Sequence, residues 1–391
     1  MGYISLRMKR FCGFITGFVF FLSGMVKLMD PVGAGLVMDE YFSFLHISFL
    51  SFSAKAFGVF FALTETVIGA ALITGVWRKV TAVCAIVLQA FFTLLTLLLV
   101  IFNPEMDCGC FGEAIHLTHL QTFIKNIILL ALLLAYYIPH DQLGETLKKK
   151  YVSFGLVTVS VIAFTIYSLI YIPLIDFTAY RPGAELEAGA QVNADDMYES
   201  IFTYEKDGIQ ETFTLGHLPD STWTFVSVDT RLKKGYEESL TGLSFYAPQT
   251  GEYQDKLAIE GKVMVISVYN PDMKKDKWTQ IEAFATRASK AGFRVLLLCA
   301  SQEGIPASLQ EQAYISDYKT LISLNRSNGG ITYFYNGQLI RKWASINTPD
   351  ASQLQAIAET GPTEISIEQD NKGSLVFQGF LLYVFAVMLL M

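Results

Sequence analysis

The chain has 391 residues, of which 52% are hydrophobic, 14% are aromatic and only 17% are charged. Soluble proteins average about 45–50% apolar and about 25% charged residues, so this composition, with a mean hydropathy of +0.38, excludes an ordinary cytosolic enzyme. The net charge of −7 argues against nucleic acid as a partner, because phosphate binding requires clustered Lys and Arg.

Six stretches of the sequence are apolar over the length that a membrane-spanning helix needs, which is about 20 residues. They are residues 11–29, 53–76, 79–102, 121–139, 151–174 and 374–391. The first follows three basic residues, as the core of a signal peptide does, but no small-residue cleavage site comes after it, so we expect a retained helix. The last stretch is the shortest, and we expect it to cross the membrane as well.

Basic residues in the short loops predict the orientation of these helices. If every stretch crosses, the clusters at 7–10, 78–79 and 148–150 all lie on one side. We therefore expect a multi-pass protein of the bacterial inner membrane with its amino terminus in the cytoplasm. The loop 103–120 and the polar region 175–372 would then lie in the periplasm, where thiols can be oxidised.

The loop between the third and fourth stretches carries the densest group of reactive side chains, which begins Asp107-Cys108-Gly109-Cys110. Consecutive Cα atoms are ~3.8 Å apart, so two cysteines separated by one residue fall near the ~4.4–6.8 Å that a disulfide requires. Gly109 permits the backbone dihedrals of such a tight ring. A strained disulfide is easily attacked, whereas a structural one normally closes a longer loop. Redox function is the favoured interpretation, and a structural pair is the alternative.

Metal binding is a weaker alternative for the same loop. Cys108, Cys110, His116 and His119 could together supply two sulfur and two nitrogen ligands to a tetrahedral ion. The Cys-x-Cys spacing is, however, tighter than the Cys-x₂₋₄-Cys of usual zinc sites.

Several polar residues lie within the predicted membrane helices, where ionisable groups are costly and usually functional. Glu65 lies midway along the second stretch, Lys27 near the outer end of the first, and Lys125 with Asn126 near the outer start of the fourth. Because three of these share the outer half of the membrane with the cysteine loop, we expect a polar pocket beneath the thiols. The alternatives are lysines that extend to the membrane surface and a neutral Glu65 that only joins helices.

The polar region after the fifth stretch has the pattern of an α/β domain. Apolar, β-branched runs lie at 262–269 and 293–300, and residues 278–291 between them have helical spacing. A strand, helix and strand of this length predict a βαβ unit with parallel strands. Two further runs flank Asn336-Gly337, a strong hairpin signal, and a last helix follows.

This order of elements resembles that of a thioredoxin-like domain. Such domains carry a Cys-x-x-Cys motif after the first strand and a cis-proline before the hairpin. In this chain, residues 270–275 follow the first strand and contain no cysteine, and Gly329-Gly330 stands in place of the proline. We therefore expect a redox-silent domain that docks or clamps partners. Its single cysteine, Cys299, is predicted to be a buried and inert core thiol.

The residues of the membrane part resemble those of a known family. The residues that carry this resemblance are Ser23-Gly24, Lys27, Asp30-Pro31, Gly33, Asp39-Glu40-Tyr41, Glu65, Gly69, Gly75 and Cys108-Gly109-Cys110-Phe111-Gly112. Together they resemble those of the MauE/DoxX-like redox-associated membrane proteins. It implies a four-helix membrane unit, and the whole chain resembles the longer Bacteroidetes-type members. MauE proteins are associated with methylamine utilisation and with disulfide formation in a periplasmic dehydrogenase subunit, although a methylamine role does not follow from the resemblance.

The predicted fold is a polytopic α-helical membrane bundle joined to a periplasmic α/β domain. Its parts are a four-helix unit at 1–140, a fifth transmembrane helix at 151–174, a β-rich lead-in at 175–254, a thioredoxin-like domain at 255–372 and a C-terminal transmembrane helix at 374–391. The lead-in rests on a hairpin turn at 204–208 and a strand pattern at 222–228.

The architecture is also similar to that of the quinone-coupled disulfide generators of the vitamin K epoxide reductase and DsbB kinds, although those use Cys-x-x-Cys. We therefore expect an oxidoreductase in which Cys108 and Cys110 form or transfer disulfides on periplasmic client proteins and pass electrons to a membrane quinone. The alternatives are a non-enzymatic scaffold whose periplasmic domain binds envelope partners, and a metal-binding loop.

The supporting residues around the pocket are predicted to be Lys27, Glu65, Lys125, Asn126 and Asp107. The quinone head group is expected near Glu65 and Asn126. The attacking thiol needs a lowered pKa, which Lys27 or Lys125 would provide and the negative charge of Asp107 would oppose.

Overall fold

The computed structural model of the chain describes residues 6–104, 106–138, 146–186, 198–206, 209–214, 219, 222–232 and 242–390. Among these, six helices are long and apolar enough to cross a membrane: Leu6–Met29, Ser48–Thr74, Arg78–Phe102, His119–Tyr137, Lys148–Ile170 and Lys372–Leu389. Each overlaps one of the six predicted stretches, so the prediction of a multi-pass membrane protein is confirmed.

The membrane part contains the following elements in chain order. They are α1 (Leu6–Met29), α2 (Pro31–Phe44), a 3₁₀ turn (Ser48–Ser53), α3 (Ala54–Thr74), α4 (Arg78–Phe102), the short strand β1 (Cys110–Glu113), α5 (His119–Tyr137) and α6 (Lys148–Ile170). Helix α2, which lies between the first two spans, has too few residues to cross. The Asp30 carboxylate caps its first turn by accepting a hydrogen bond of 2.9 Å from the backbone N–H of Gly33, and Pro31 occupies its first position.

Helices α1 and α3 approach each other closely through glycines. A Cβ atom on Gly24 would lie 2.7 Å from the carbonyl oxygen of Ala62, and one on Gly69 would lie 2.5 Å from the backbone nitrogen of Phe21. Small residues permit such contacts between membrane helices, where packing replaces the hydrophobic effect as the driving force. The close approach brings the carboxyl-terminal end of α1 and the amino-terminal half of α3 together.

The polar part forms two sheets. The smaller contains β2 (Tyr198–Lys206), β3 (Ile209–Thr214) and β4 (Thr224–Leu232), in the order β3-β2-β4. The larger contains β5 (Phe245–Tyr246), β6 (Lys262–Val268), β7 (Arg294–Cys299), β8 (Ala313–Ser316), β9 (Gly330–Tyr335) and β10 (Gln338–Trp343), in the order β10-β9-β6-β7-β8-β5. The helices of this part are α7 (Lys275–Lys290), α8 (Ala307–Gln310), α9 (Tyr318–Leu324), α10 (Ala351–Glu359) and α11 (Pro362–Leu390), the last of which includes the sixth span.

The central strand β6 is buried on both faces of the six-stranded sheet. Met264 and Ile266 pack into one apolar cluster with α7, whereas Val263 and Val265 pack into the other with α9. Strand β6 pairs in parallel with β7 and antiparallel with β9, and β9 and β10 form a hairpin. The predicted βαβ unit and hairpin are therefore present in a mixed sheet, and the term sheet domain is used below for residues 242–359.

The boundary between the predicted lead-in and the sheet domain differs from expectation. Strand β5 joins the six-stranded sheet by pairing with β8, and Glu185 forms an isolated bridge with Gln338. Both ends of the predicted lead-in therefore pair with strands of the sheet domain. The predicted hairpin of the lead-in is present as β2 and β3, while residues 207–208 of its turn lie outside the described residues.

The sheet domain lies at the end of the bundle that carries α2 and the cysteine loop, where Lys319 Nζ is 3.5 Å from Glu40 Oε1. The last helix, α11, returns along α6, with the rings of Phe164 and Phe380 stacked at 4.9 Å. Ser153 on α6 donates a hydrogen bond of 2.6 Å to the carbonyl oxygen of Val387. The sixth helix is thus part of the bundle.

Candidate functional site

The sequence Cys108-Gly109-Cys110 forms a tight turn between α4 and β1. Gly109 has a φ of +60°, and a Cβ atom there would overlap the side chain of Val37 on α2. The turn closes with a hydrogen bond of 3.1 Å from the backbone N–H of Gly112 to the carbonyl oxygen of Gly109. Only glycine satisfies both the conformation and the space at position 109. Both cysteines are free thiols in this structure.

The backbone of this turn is held by two side chains from the helices. The hydroxyl of Tyr41 donates a hydrogen bond of 3.0 Å to the carbonyl oxygen of Cys108, and the Ser23 hydroxyl donates one of 2.5 Å to that of Cys110. Burial raises the pKa of Tyr41, so its phenol stays protonated and remains a donor. The turn is therefore fixed to α1 and α2 through main-chain atoms.

The two sulfur positions differ in exposure and in chemistry. Cys108 is only 5% exposed, whereas Cys110 is half-buried. Burial raises the pKa of the Cys108 thiol, the negative charge of Asp107 acts in the same direction, and Lys125 opposes both. Lys125 and Asp107 therefore act on the Cys108 thiol in the predicted directions, but burial outweighs the lysine and the pKa is raised overall.

A cavity of about 380 Å³ lies directly beneath the turn. Both cysteines line it, together with four residues predicted for the polar pocket: Lys27, Glu65, Lys125 and Asn126. Most of the remaining wall is apolar, including the rings of Phe61 and Phe92. The structure therefore brings the predicted thiols and the predicted polar residues together around one cavity.

The charged residues of the cavity form an ion pair. Lys27 Nζ lies 2.6 Å from Glu65 Oε2 and donates a second hydrogen bond of 3.2 Å to Ser23 Oγ. Because Ser23 also donates to the backbone of Cys110, a continuous chain of polar contacts links Glu65 to the cysteine turn. Lys27 thus points into the bundle towards Glu65 instead of extending to the membrane surface.

The amide residue of the cavity is fixed by a separate network. Asn126 Nδ2 donates a hydrogen bond of 3.2 Å to Thr96 Oγ1, and Gln89 Nε2 donates one of 3.1 Å to the carbonyl oxygen of Asn126. Beside it, Lys125 Nζ lies 4.9 Å from the centroid of the Phe111 ring, within the range of a cation–π contact.

Three predicted residues lie apart from the cavity. Asp107 Oδ2 is 3.0 Å from His116 Nδ1, with both side chains more than half exposed, and His119 Nε2 is 2.9 Å from the carbonyl oxygen of Met106. Within the described ranges, no group of three or more His, Cys, Asp or Glu side chains comes together as a metal site requires. The structure therefore does not bring together the four residues of the metal alternative.

Tyr41 and Ser23 contribute to the site, although the sequence indicates them only as part of the family resemblance and not as site residues. A single hydroxyl group in a helix does not by itself indicate a contact with a loop. The sequence places Gln89 midway along the third predicted stretch, where a buried polar group is costly, and Thr96 could have been found by the same argument.

Comparison with known families supports the assignment of the membrane part. Residues 5–139 match the family model of Methylamine utilisation protein MauE, a match that ends before α6. Residues 198–235, which include the small sheet, match a domain of unknown function, DUF8463. No curated protein and no solved structure matches the chain. The four-helix part is thus MauE-like, and no comparison bears on the DoxX or thioredoxin-like resemblance.

Proposed function

We propose that this protein is a membrane thiol–disulfide oxidoreductase that acts at the periplasmic face of the inner membrane through Cys108 and Cys110. The observation that carries the proposal is that both thiols border the same cavity as the Lys27–Glu65 ion pair. Ionisable groups are expensive in a bilayer and are placed there for function. The similarity to MauE suggests maturation of an envelope enzyme as the setting, and the residues of this chain select no particular client.

The first half of the reaction oxidises a client dithiol. A client thiolate attacks Cys110 Sγ of the Cys108–Cys110 disulfide, because Cys110 is the more exposed sulfur. The disulfide breaks, Cys108 leaves as a thiolate and takes up a proton, and a mixed disulfide forms between the client and Cys110. A second client thiolate then attacks the client sulfur of this mixed disulfide, which releases the oxidised client and the Cys110 thiolate.

The raised pKa of Cys108 has opposite effects on two steps. It slows the departure of Cys108, because a more basic thiolate is a poorer leaving group. After departure it keeps Cys108 protonated, so that this thiol does not attack the mixed disulfide in reverse. The second effect favours transfer of the disulfide to the client.

Two electrons and two protons must leave the site before the next cycle. The cavity volume of about 380 Å³ lies within the ~300–1,000 Å³ of small-molecule sites. Three of its apolar lining residues, Leu45, Phe57 and Phe91, are also exposed on the outside of the bundle, which supports entry from the bilayer. The aromatic and polar side chains that line the cavity support a quinone ring as its occupant.

The cavity residues have separable roles towards such an acceptor. When bound, a membrane quinone supplies the two-electron acceptor that the dithiol requires. Lys27 and Lys125 would hold its carbonyl oxygens, since an ammonium has three N–H donors and Lys27 uses only two of them on Ser23 and Glu65. Glu65 is the carboxylate that lines the cavity, and it would accept a proton released as the thiols are oxidised.

We infer that the sheet domain is a redox-silent, thioredoxin-like platform for clients. Its strand order and its parallel β6–β7 pair support this inference. Burial raises the pKa of Cys299 to about 12, so this cysteine stays a protonated core thiol. Thiol exchange is then left to the membrane part.

Trapping of mixed disulfides tests the proposal. In cells, the Cys110 thiolate of Cys108→Ser should attack the disulfides of oxidised clients, release one client thiolate and remain bound as a mixed disulfide, because Cys108 is not present to displace the client. Cys110→Ser should accumulate far fewer such complexes. The matched control is Cys84→Ser, because Cys84 is a free thiol exposed on the outside of α4, away from the turn. If Cys108 and Cys110 remain reduced under oxidising conditions and capture no client, or if replacing both with serine preserves the full phenotype, a scaffold role replaces the redox role.

A further inference from the structure

Arg326 joins the sheet domain to the membrane part through two carboxylates. It lies between α9 and β9, and its side chain is only 4% exposed. Its Nε atom is 2.9 Å from Asp30 Oδ2, and its Nη2 atom pairs with Glu113 Oε1. A planar guanidinium is suited to binding two carboxylates at fixed angles, which a lysine is not.

The two carboxylates are linked to two elements that hold the cysteine turn, α2 and β1. Asp30 caps α2 through the backbone N–H of Gly33, and α2 carries Tyr41, which holds the Cys108 carbonyl. Glu113 is the last residue of β1, the strand that begins with Cys110. One guanidinium therefore contacts both the cap of α2 and the end of β1.

The sheet domain in turn fixes Arg326 itself. Its Nη1 atom donates a hydrogen bond of 3.2 Å to the carbonyl oxygen of Ile322 on α9, and its own carbonyl oxygen accepts one of 3.2 Å from the hydroxyl of Tyr269. The guanidinium therefore cannot follow β1 if that strand moves.

The site also leaves space for this contact. A Cβ atom on Gly33 would lie 2.5 Å from Asp30 Oδ2 and 3.3 Å from Arg326 Nη2. Glycine at position 33 thus permits Arg326 to lie against the first turn of α2.

Removal of Arg326 would leave two partly buried carboxylates without their common cation. Burial raises the pKa of Glu113, Arg326 opposes that effect, and the nearby charge of Asp30 adds to it. Without the guanidinium, Glu113 would either take up a proton or move towards water, and β1 would move with it.

We propose that Arg326 is a positioning residue that makes the geometry of the cysteine turn depend on docking of the sheet domain. Its importance for turnover rests on the proposed function, but the coupling itself is a property of the reduced protein without any client. The turn is held from below by Ser23 and Tyr41, and from the side of the sheet domain by Arg326 through Glu113.

The test measures how fast a maleimide alkylates each cysteine of the reduced, full-length protein in lipid nanodiscs, resolved by mass spectrometry. Arg326→Gln and Glu113→Gln should each raise the rate at Cys108 about tenfold, because a buried thiol reacts through local opening of the turn. The double variant should add little to either single change, and Arg326→Lys should restore part of the protection. The matched control is Lys319→Gln, which removes an ion pair to Glu40 between the same two parts, with the lysine 76% exposed.

Cys299 reports within the same experiment whether the sheet domain remains folded. Faster alkylation of Cys108 while Cys299 stays protected supports positioning. If both become reactive together, Arg326 only stabilises the sheet domain, and the proposal is wrong. Unchanged Cys108 rates in both Arg326→Gln and Glu113→Gln would also overturn it. Because no disulfide exchange is measured, failure of the proposed oxidoreductase activity would leave this result intact.

Discussion

Lys27 on α1 and Glu65 on α3 form an ion pair with 2.6 Å between Nζ and Oε2, inside the wall of the cavity beneath the cysteine turn. Their side chains are 15% and 7% exposed, so the pair is largely removed from solvent. The glycine contacts between α1 and α3 hold the two helices at the separation that this pair needs. The close packing of α1 against α3 therefore sets the distance between the two charged groups in the cavity.

Removing one member of the pair should cost more stability than removing both. Glu65→Gln leaves the Lys27 ammonium without its counter-charge, which costs about 3 kcal/mol when the remaining charge stays buried. Lys27→Met combined with Glu65→Leu should recover most of this loss, because two apolar side chains need no partner. Thermal unfolding in nanodiscs measures both variants. Equal stability of the single and double variants would show that water already screens the pair.

The close contact of α1 and α3 predicts different outcomes for two glycines in membrane helices. Gly24→Ala places a methyl group 2.7 Å from the Ala62 carbonyl oxygen and should lower stability by about 2 kcal/mol through overpacking. Gly155→Ala on α6 meets nothing within 4 Å and should be neutral, or stabilise by up to about 1 kcal/mol through helix propensity. The melting temperatures of the two variants give the comparison, and similar values would contradict the close packing of α1 against α3.

Much of the fold could be predicted from local sequence patterns. The approximate boundaries of the six long helices follow from the lengths of the apolar stretches, and strand β6 follows from a run of β-branched residues. The hairpin follows from Asn336-Gly337, which have φ values of +47° and +82° as a two-residue turn with both φ positive requires. Helix α2 is absent from the prediction, because its Asp30-Pro31 start is a short signal inside an apolar region.

The candidate site could be predicted only in part. Burying a polar side chain at bilayer depth is costly, and this argument identifies Lys27, Glu65, Lys125 and Asn126 as candidate site residues. All four line the cavity. Arg326 could not be found, since its partner Asp30 lies 296 positions away and no local pattern marks such a pair. The raised pKa of Cys108 also could not be predicted from the sequence, because it depends on burial by elements that are distant in the sequence.

Two glycines of the cysteine loop should differ in their tolerance of alanine. Gly109→Ala adds a methyl group against Val37 at a φ of +60°, whereas Gly112→Ala adds only the backbone strain of a φ of +55°, with Lys27 Cγ 4.0 Å away. We expect Gly109→Ala to expose Cys108 to alkylation, and Gly112→Ala to cost about 1–2 kcal/mol without exposing it. Identical alkylation profiles would show that Val37 does not confine the turn.

The core thiol of the sheet domain predicts a loss of stability at alkaline pH. The pKa of Cys299 is raised from 9.0 to about 12 in the folded state, so between these values the folded protein holds a proton that the unfolded chain has lost. Stability therefore falls as pH rises through this window, by up to about 1.4 kcal/mol per pH unit for one group. Below pH 9 the effect is absent.

Cys299→Ala should reduce this alkaline slope and leave the neutral-pH behaviour close to that of the wild type. Denaturant unfolding followed by tryptophan fluorescence at several pH values measures the slope, since Trp278 and Trp343 both lie in the sheet-domain core. Cys110→Ser serves as the control, because it lies outside this core. An unchanged slope in Cys299→Ala would assign the alkaline loss to the buried tyrosines instead.

The contacts of Ser23 and Tyr41 with carbonyl oxygens, and not with sulfur, have a consequence for any chemistry at this loop. Main-chain acceptors are the same whatever side chain stands at positions 108 and 110 and whatever its oxidation state. Under the proposed function, these two contacts would be kept while Cys108 and Cys110 form and exchange disulfides. A covalent complex trapped with a serine variant should therefore keep both contacts around the bound client.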